Sequence, residues 1–310
     1  MSDERIVGST DRRAVDRQGE LTGAGLCALM AVLFAFVVIF GKQVQAGRLP
    51  FVFLAIRFAG QSVLLLGLIA LLGRPLLPEP GERLALGLAG SIGYGSEAAF
   101  YFSALNHGSA AAVTLLFYTY PVWVMLATMA LDRKAPPVAM FAALGLALTG
   151  SAMVVLGGGG ADIETIGIVL ALCTSFAYSA YLISTDRMVK RTDPLTAAAW
   201  LGIGAATANV VYAVAFHAVV APAAGSWWRL AAMALFSAGA FAAMLAGLQL
   251  VGAVRNAIIG VLEPLTVAVL AAAFLDERLT IPVVAGGTLI LGGAIIASLI
   301  RTTRSSEPNV

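Results

Sequence analysis

Hydrophobic stretches of about 20 residues alternate with short polar segments along most of the chain. A helix of about 20 residues rises roughly 30 Å, which is the thickness of a bilayer's hydrocarbon core. Because several connections are very short, consecutive helices are expected to run antiparallel. The pattern predicts ten spans, at approximately 21–41, 51–73, 84–105, 109–131, 136–156, 165–185, 195–217, 228–250, 252–275 and 281–300.

The composition is that of a chain buried in lipid. Of the 310 residues, 60% are hydrophobic and 12% are charged, and the mean hydropathy is +0.91. Such a chain cannot cover a normal water-facing surface. The strands of an outer-membrane barrel would be about half as long and would alternate polar with apolar residues. The sequence therefore predicts an all-α integral membrane protein.

Residues 104–150 and 247–293 are two copies of one pattern. In each copy an apolar span containing a proline runs through a Leu-Asp pair into a span punctuated by glycine. Pro121 and Pro264 occupy matching places, 143 residues apart (264 − 121). A duplicated membrane unit is typical of transporters with internal repeats.

Each copy belongs to a half of five spans, and this odd number makes the two halves enter the membrane from opposite faces. The chain is therefore predicted to be a five-plus-five inverted repeat. The halves are expected at 21–156 and 165–300, with polar tails at 1–20 and 301–310.

Basic residues are distributed unevenly between the two sides of this topology. Fourteen Lys and Arg residues lie on the side of the N-terminus and four on the opposite side, with Arg57 left inside a span. Because short basic loops stay in the cytoplasm, both termini are predicted to be cytoplasmic. The net charge of +2 then reflects topology, and no basic run with interleaved aromatics indicates a nucleic-acid partner.

Ten spans in two inverted halves, the segment GKQVQAGRLPFVFLAIRF and the paired proline and LDR/LDER segments resemble the EamA branch of the drug/metabolite transporter superfamily. The resemblance implies a secondary transporter of small metabolites. The aromatic inner spans are similar to those of YddG-type bacterial amino-acid exporters, which implies a bacterial cytoplasmic membrane and an amino-acid substrate. One departure is that the first copy ends LDRK, where the second keeps Glu277.

Polar side chains form three stripes at helical spacing within the apolar spans. Such residues are costly in hydrocarbon unless they are paired or face a wet cavity. Phenol faces with hydroxyl tips suit a solute with an apolar or aromatic side chain and a polar head. The alternative is that each tyrosine packs between helices and bonds to a backbone carbonyl. The stripes are Gly90, Tyr94, Glu97 and Tyr101; Thr174, Tyr178, Tyr181 and Thr185; and Thr114, Tyr118 and Pro121.

The second half carries different side chains at the matching places. Shifting the first stripe by 143 residues reaches Met233, Ser237, Ala240 and Met244. A cavity between the halves would therefore be symmetric in backbone and asymmetric in chemistry. Because methionine is a deformable apolar lining, Met244 in such a site favours broad specificity.

Two acids and two arginines lie within or at the ends of spans. Glu97 and Glu263 are candidates for binding a substrate amine or a proton, or else for joining helices to one another. Arg57 and Arg255 are interpreted as snorkelling or structural, since both lie near an interface. Pro121 and Pro264 interrupt their helices and are predicted to be hinges.

The favoured interpretation is a transporter that exports aromatic or large apolar amino acids by alternating access at a central cavity. Other metabolites or drugs within the same superfamily are the first alternative. A membrane-embedded enzyme acting on lipid-linked substrates is the second, although no catalytic motif, metal site or cofactor motif is visible. The expected partners are a small-molecule substrate and the lipid bilayer, and a monomer suffices for a cavity inside one chain.

Overall fold

The computed structural model describes residues 3–45, 49–108, 110–157, 163–274 and 280–300, and the side chains of 3–17 lie outside that description. The regular secondary structure of the described residues is helical, apart from one isolated bridge between Gly108 and Ile163. The helices are α1 Asp3–Gln45, α2 Phe51–Leu71, α3 Arg83–Leu88, α4 Ser96–Ala104, α5 Ala110–Phe117, α6 Tyr120–Asp132, α7 Val138–Gly157, α8 Thr165–Met188, α9 Pro194–Ala215, α10 Trp227–Val251, α11 Ala253–Gly260, α12 Leu262–Phe274 and α13 Ile281–Leu299.

Nine helices in the described ranges are long and apolar enough to cross a membrane. The expected count of ten is not confirmed, because no helix in that set covers the third predicted span, 84–105. This span consists of α3, a π-helical segment Ala89–Gly95, and α4 in direct succession. A Cβ at Gly90 would lie 2.6 Å from the Leu201 carbonyl oxygen of α9, so this wide turn packs directly on a neighbouring backbone. Sequence periodicity predicts a regular helix here and does not detect the π turn.

Both proline-containing spans are broken helices. The first consists of α5, which ends at Phe117, and α6, which begins at Tyr120. The second consists of α11, which ends at Gly260, 143 residues after Phe117, and α12. Pro121 and Pro264 lack the N–H that would bond to the carbonyls of Phe117 and Gly260, which explains why each helix stops there.

The halves interlock through matching helices. Helix α2 packs along α9, and α7 packs along α13, its counterpart in the second half. Glycines permit the second contact, since a Cβ at Gly286 would lie 2.5 Å from the carbonyl oxygen of Gly150. Small residues at such crossings allow close backbone approach in lipid. Residues 3–20 of the predicted N-terminal tail belong to α1. Residues 1–2 of that tail, the C-terminal tail 301–310, residues 158–162 between the halves and the LDER segment at 275–278 lie outside the described residues.

A buried carboxylate joins two loops at one end of the bundle. Glu82 accepts hydrogen bonds from the backbone N–H groups of Lys190, Arg191 and Thr192 and from the Thr192 hydroxyl, at 2.6 to 2.9 Å. Burial raises the pKa of Glu82, but these four bonds together outweigh it and hold the pKa below its ordinary value. We call this contact the Glu82 clasp; it ties the loop after α2 to the loop after α8.

Candidate functional site

A central cavity lies between the two halves, beside both broken helices. Its walls come from α1, α2, the π segment with α4, the α5–α6 break, α8 and the start of α12. Aromatic side chains dominate the walls, and three charged or acidic side chains face the same space. The cavity is lined by Met30, Phe34, Val37, Val38, Arg57, Tyr94, Glu97, Ala98, Tyr101, Phe102, Phe117, Tyr118, Tyr120, Tyr178 and Glu263.

Arg57 is the cation of this cavity. Its side chain is 3% exposed, so its guanidinium lies within the protein. The Nη2 atom donates a hydrogen bond of 2.7 Å to the Tyr94 hydroxyl, and the guanidinium carbon lies 4.2 Å from the centre of the Phe58 ring. The aromatic face and the hydroxyl solvate the charge without neutralising it.

Glu97 and Glu263 place two carboxyl groups on the same cavity. Glu97 is the second residue of α4, just after the π turn, and is 8% exposed. Glu263 is the second residue of α12, immediately before Pro264, and its carboxyl group is hydrogen-bonded to Tyr118. A carboxyl group at a break in the helix is positioned by the break itself, because the chain there does not follow regular helical geometry.

The phenol rings form one connected cluster. The ring centres of Tyr120 and Tyr178 are 4.7 Å apart at 75°, and those of Phe117 and Tyr178 are 5.5 Å apart at 69°. Tyr94 extends the cluster to Phe241, at 4.3 Å. Edge-to-face packing of this kind fixes ring orientations and leaves flat apolar surfaces toward the cavity.

Comparison with known proteins identifies the chain's relatives. The sequence model of the EamA-like transporter family matches residues 21–156 and 165–299 of this chain. The chain belongs to the EamA-like transporter family. It is 28% identical over 277 residues to an uncharacterized transporter of Archaeoglobus fulgidus, covering 89% of this chain and 96% of that protein. It is 30% identical over 236 residues to the uncharacterized transporter YcbK of Bacillus subtilis, covering 70% and 74%.

A solved crystal structure of a protein shares the fold. It superimposes with a TM-score of 0.77 over 89% of this chain and 96% of that chain, at 20% identity, which shows the fold alone. The family and the relatives' names together establish a multi-pass membrane transporter with two repeats. The resemblance to the EamA family seen in the sequence is thereby confirmed, and the closer resemblance to YddG-type exporters is not.

Six of the residues predicted to bind substrate do line the cavity of this EamA-like protein: Tyr94, Glu97, Tyr101, Tyr118, Tyr178 and Glu263. Three other residues predicted to bind substrate contact wall residues without lining the cavity themselves: Thr114, Tyr181 and Met244. Thr114 shares a 3.0 Å hydrogen bond with the Tyr101 hydroxyl, and the hydroxyls of Tyr178 and Tyr181 lie 3.6 and 3.9 Å from the Met244 sulfur.

Thr174 is outside the wall. It is fully buried and donates to the carbonyl of Leu170 one turn earlier, a bond that keeps its hydroxyl within its own helix. Thr185, from the same predicted stripe, lines a separate cavity near Asp186 and Gln249. The stripe on α8 therefore reaches two different cavities.

Sequence reasoning missed several wall residues. Arg57, which the sequence pattern indicates to be snorkelling or structural because it lies near an interface, is buried and lines the cavity. Phe117 and Tyr120 lie on either side of the break at Pro121, so the predicted break is the feature of the sequence that could have identified them as wall residues. The residues of α1 are purely apolar, and nothing in their pattern separates a cavity wall from ordinary packing: Met30, Phe34, Val37 and Val38.

In the described part of the chain, no three His, Cys, Asp or Glu side chains are grouped closely enough to hold a metal ion. The ionisable groups of the cavity are Arg57, Glu97, Glu263 and the phenols. Such a set can bind a polar solute or a proton, and it offers aromatic surface to the rest of the solute.

Proposed function

We propose that this transporter exports amino acids with aromatic or large apolar side chains, by alternating access at the central cavity. The observation that carries the proposal is the composition of that cavity, in which five tyrosines surround two carboxyl groups. Flat phenol faces suit a large apolar side chain, and carboxyl groups suit an ammonium group. The sulfur of Met244 behind Tyr178 supports tolerance of several side-chain shapes.

Two matching breaks beside one cavity support the transport cycle. In transporters with inverted repeats, discontinuous helices surround a central site, and rocking of one half against the other exposes it alternately. Helix α5–α6 and helix α11–α12 place their breaks on opposite halves of this chain. We place the termini on the cytoplasmic side of a bacterial inner membrane, on the distribution of basic residues.

The test is counterflow uptake of a labelled amino-acid panel into liposomes that hold the purified protein. We expect uptake of phenylalanine, tyrosine, tryptophan, leucine and methionine above that of empty liposomes. The same assay with and without a pH gradient separates proton coupling from facilitated diffusion. If none of the panel is taken up while other metabolites or drugs are, the amino-acid assignment is wrong.

A matched pair of variants on α8 connects uptake to the cavity. Tyr178→Ala removes a cavity ring, and we expect the Kd for phenylalanine to rise about tenfold, since an aromatic pair and its buried area are lost. Phe176→Ala removes a ring that is 65% exposed on the same helix, and the Kd is expected to stay unchanged. Equal effects of the two variants would remove the phenol wall from the binding site.

A further inference from the structure

A buried arginine without an ionic partner faces the cavity. The ion pairs within 4 Å among the described residues join Arg74 to Asp193, His107 to Glu164, Arg187 to Asp132, Lys190 to Asp186 and Arg255 to Glu20. Arg57 is in none of these pairs. Its Nε atom is buried and has no hydrogen-bond partner among the described residues. Buried charges in proteins are normally paired, so this site has capacity for an anion.

Arg57 is buried, which argues against snorkelling. It is the seventh residue of α2, about 9 Å along the helix from its start. A snorkelling side chain holds its charged end in water. Arg57 instead directs its guanidinium to Tyr94 and Phe58, and only 3% of the residue is accessible.

The carboxyl groups of the cavity do not form an ion pair with Arg57. Glu97 is near enough to interact electrostatically with Arg57, but no carboxylate oxygen in the described residues lies within 4 Å of the guanidinium. Glu263, in the second half, is hydrogen-bonded to Tyr118 of the first half. The cavity therefore has a cation on α2 and acids on α4 and α12.

We propose that Arg57 binds the carboxylate of the transported solute, while the acids face its ammonium group. This assignment rests on the proposed amino-acid function and names the residue that distinguishes an amino acid from an amine. A guanidinium presents parallel N–H donors that match the two oxygens of a carboxylate. Two carboxyl groups in the same cavity disfavour a dianion such as a phosphate ester, because like charges would meet without intervening water.

The test compares three ligands that share one ring: phenylalanine, phenethylamine, which lacks the carboxylate, and 3-phenylpropionate, which lacks the ammonium group. Their Kd values are measured on the full-length protein and on Arg57→Gln. For the unaltered protein we expect phenethylamine to bind about 10- to 100-fold more weakly than phenylalanine, the range for a lost charge-assisted hydrogen bond. In Arg57→Gln the Kd for phenylalanine is expected to rise by the same factor and that for phenethylamine to stay constant.

A purely structural Arg57 gives a different result. Loss of a structural tie weakens both ligands equally in Arg57→Gln, and this outcome overturns the assignment. Arg74→Gln is the matched control, because Arg74 lies outside the cavity and pairs with Asp193; it should preserve the preference for phenylalanine over phenethylamine. If Arg57→Gln does not fold, Arg57→Lys retains the charge without the parallel donors and should lower the preference at least threefold.

The three ligands separate this inference from the proposed function. Arg57-dependent binding of 3-phenylpropionate without binding of phenylalanine would support the carboxylate site and contradict amino-acid export. Transport of phenylalanine with an unchanged ligand preference in Arg57→Gln and in Arg57→Lys would support export and overturn the role of Arg57.

Discussion

The two proline breaks have matching backbones and different chemistry. Tyr120 and Glu263 each precede a proline at equivalent positions, and both line the cavity. The Tyr120 hydroxyl donates 3.0 Å to the carbonyl of Ala257 in α11, so this residue ties the first half to the second. Glu263 instead contributes a carboxyl group to the cavity and contacts Tyr118. The two breaks thus share one backbone arrangement, but one places a carboxyl group in the cavity and the other forms a hydrogen bond between the halves.

The largest expected effect comes from removing the acid. Glu263→Gln keeps the shape and removes the titratable carboxyl group, and we expect initial counterflow rates to fall about 10- to 100-fold, the range for a lost hydrogen bond to a charged group such as the substrate ammonium. Glu164→Gln is the control, because Glu164 is an exposed residue at the start of α8 whose carboxylate pairs with His107. An unchanged rate in Glu263→Gln would show that transport does not need the carboxyl group of Glu263, and that the chemical difference between the two breaks has no effect on transport.

The attachment at the first break depends on a glycine in the second. A Cβ at Gly260 would lie 2.7 Å from the Tyr120 hydroxyl, so Gly260→Ala should lower the free energy of unfolding by about 1–3 kcal/mol through overpacking. Gly145→Ala is the control, since nothing lies within 4 Å of a Cβ there. Thermal unfolding in detergent compares them, and equal Tm values would show that the contact is loose.

The prolines themselves should affect rate more than affinity. Pro121→Ala or Pro264→Ala restores an N–H to the helix and stiffens the break, so we expect transport to slow about fivefold with little change in Kd. Pro137→Ala, in an exposed connection, is the control. Reconstituted variants that transport at the original rate would exclude the breaks as hinges.

Removing only the Tyr120 hydroxyl should have a smaller effect. Tyr120→Phe loses one buried hydrogen bond, which is expected to cost about 0.5–1.5 kcal/mol of unfolding free energy. Because the same hydroxyl obstructs Gly260→Ala, the double variant should be more stable than the sum of the single effects indicates. Strict additivity in denaturation would contradict the contact between Tyr120 and Gly260.

The smallest expected effect is on the pH dependence of Tm, through the Glu82 clasp between two loops. The turn Pro80–Glu82 ends at Glu82, whereas the corresponding turn Ala224–Ser226 ends at Ser226, so only the first of these two turns supplies a carboxylate. Because the pKa of Glu82 is lowered on folding, its stabilisation is present above the ordinary pKa of 4.5 and is lost as pH falls through the lowered value. Glu82→Gln should flatten the Tm profile below pH 4.5, and the exposed Glu79→Gln should leave it unchanged.

Local patterns in the sequence determined the membrane class, most span positions, the duplication and the sites of both helix breaks. Each follows from chemistry within one segment: apolar length matches bilayer thickness, and a proline removes a hydrogen bond wherever its neighbours lie. Periodicity also brought Tyr94, Glu97 and Tyr101 to one face, and all three line the cavity despite the π turn.

Tertiary structure decided what the environment of each side chain would be. Thr174 and Tyr178 lie on one predicted stripe, yet only Tyr178 reaches the cavity, because the neighbouring helices determine which turns of α8 face it. The π turn packs on α9 through Gly90, and the guanidinium of Arg57 is held by Tyr94 and Phe58. The distance of Arg57 from the start of its span agreed with snorkelling in the sequence. Only folding brings Tyr94, 37 residues later in the chain, to the guanidinium, which is buried and lines the cavity.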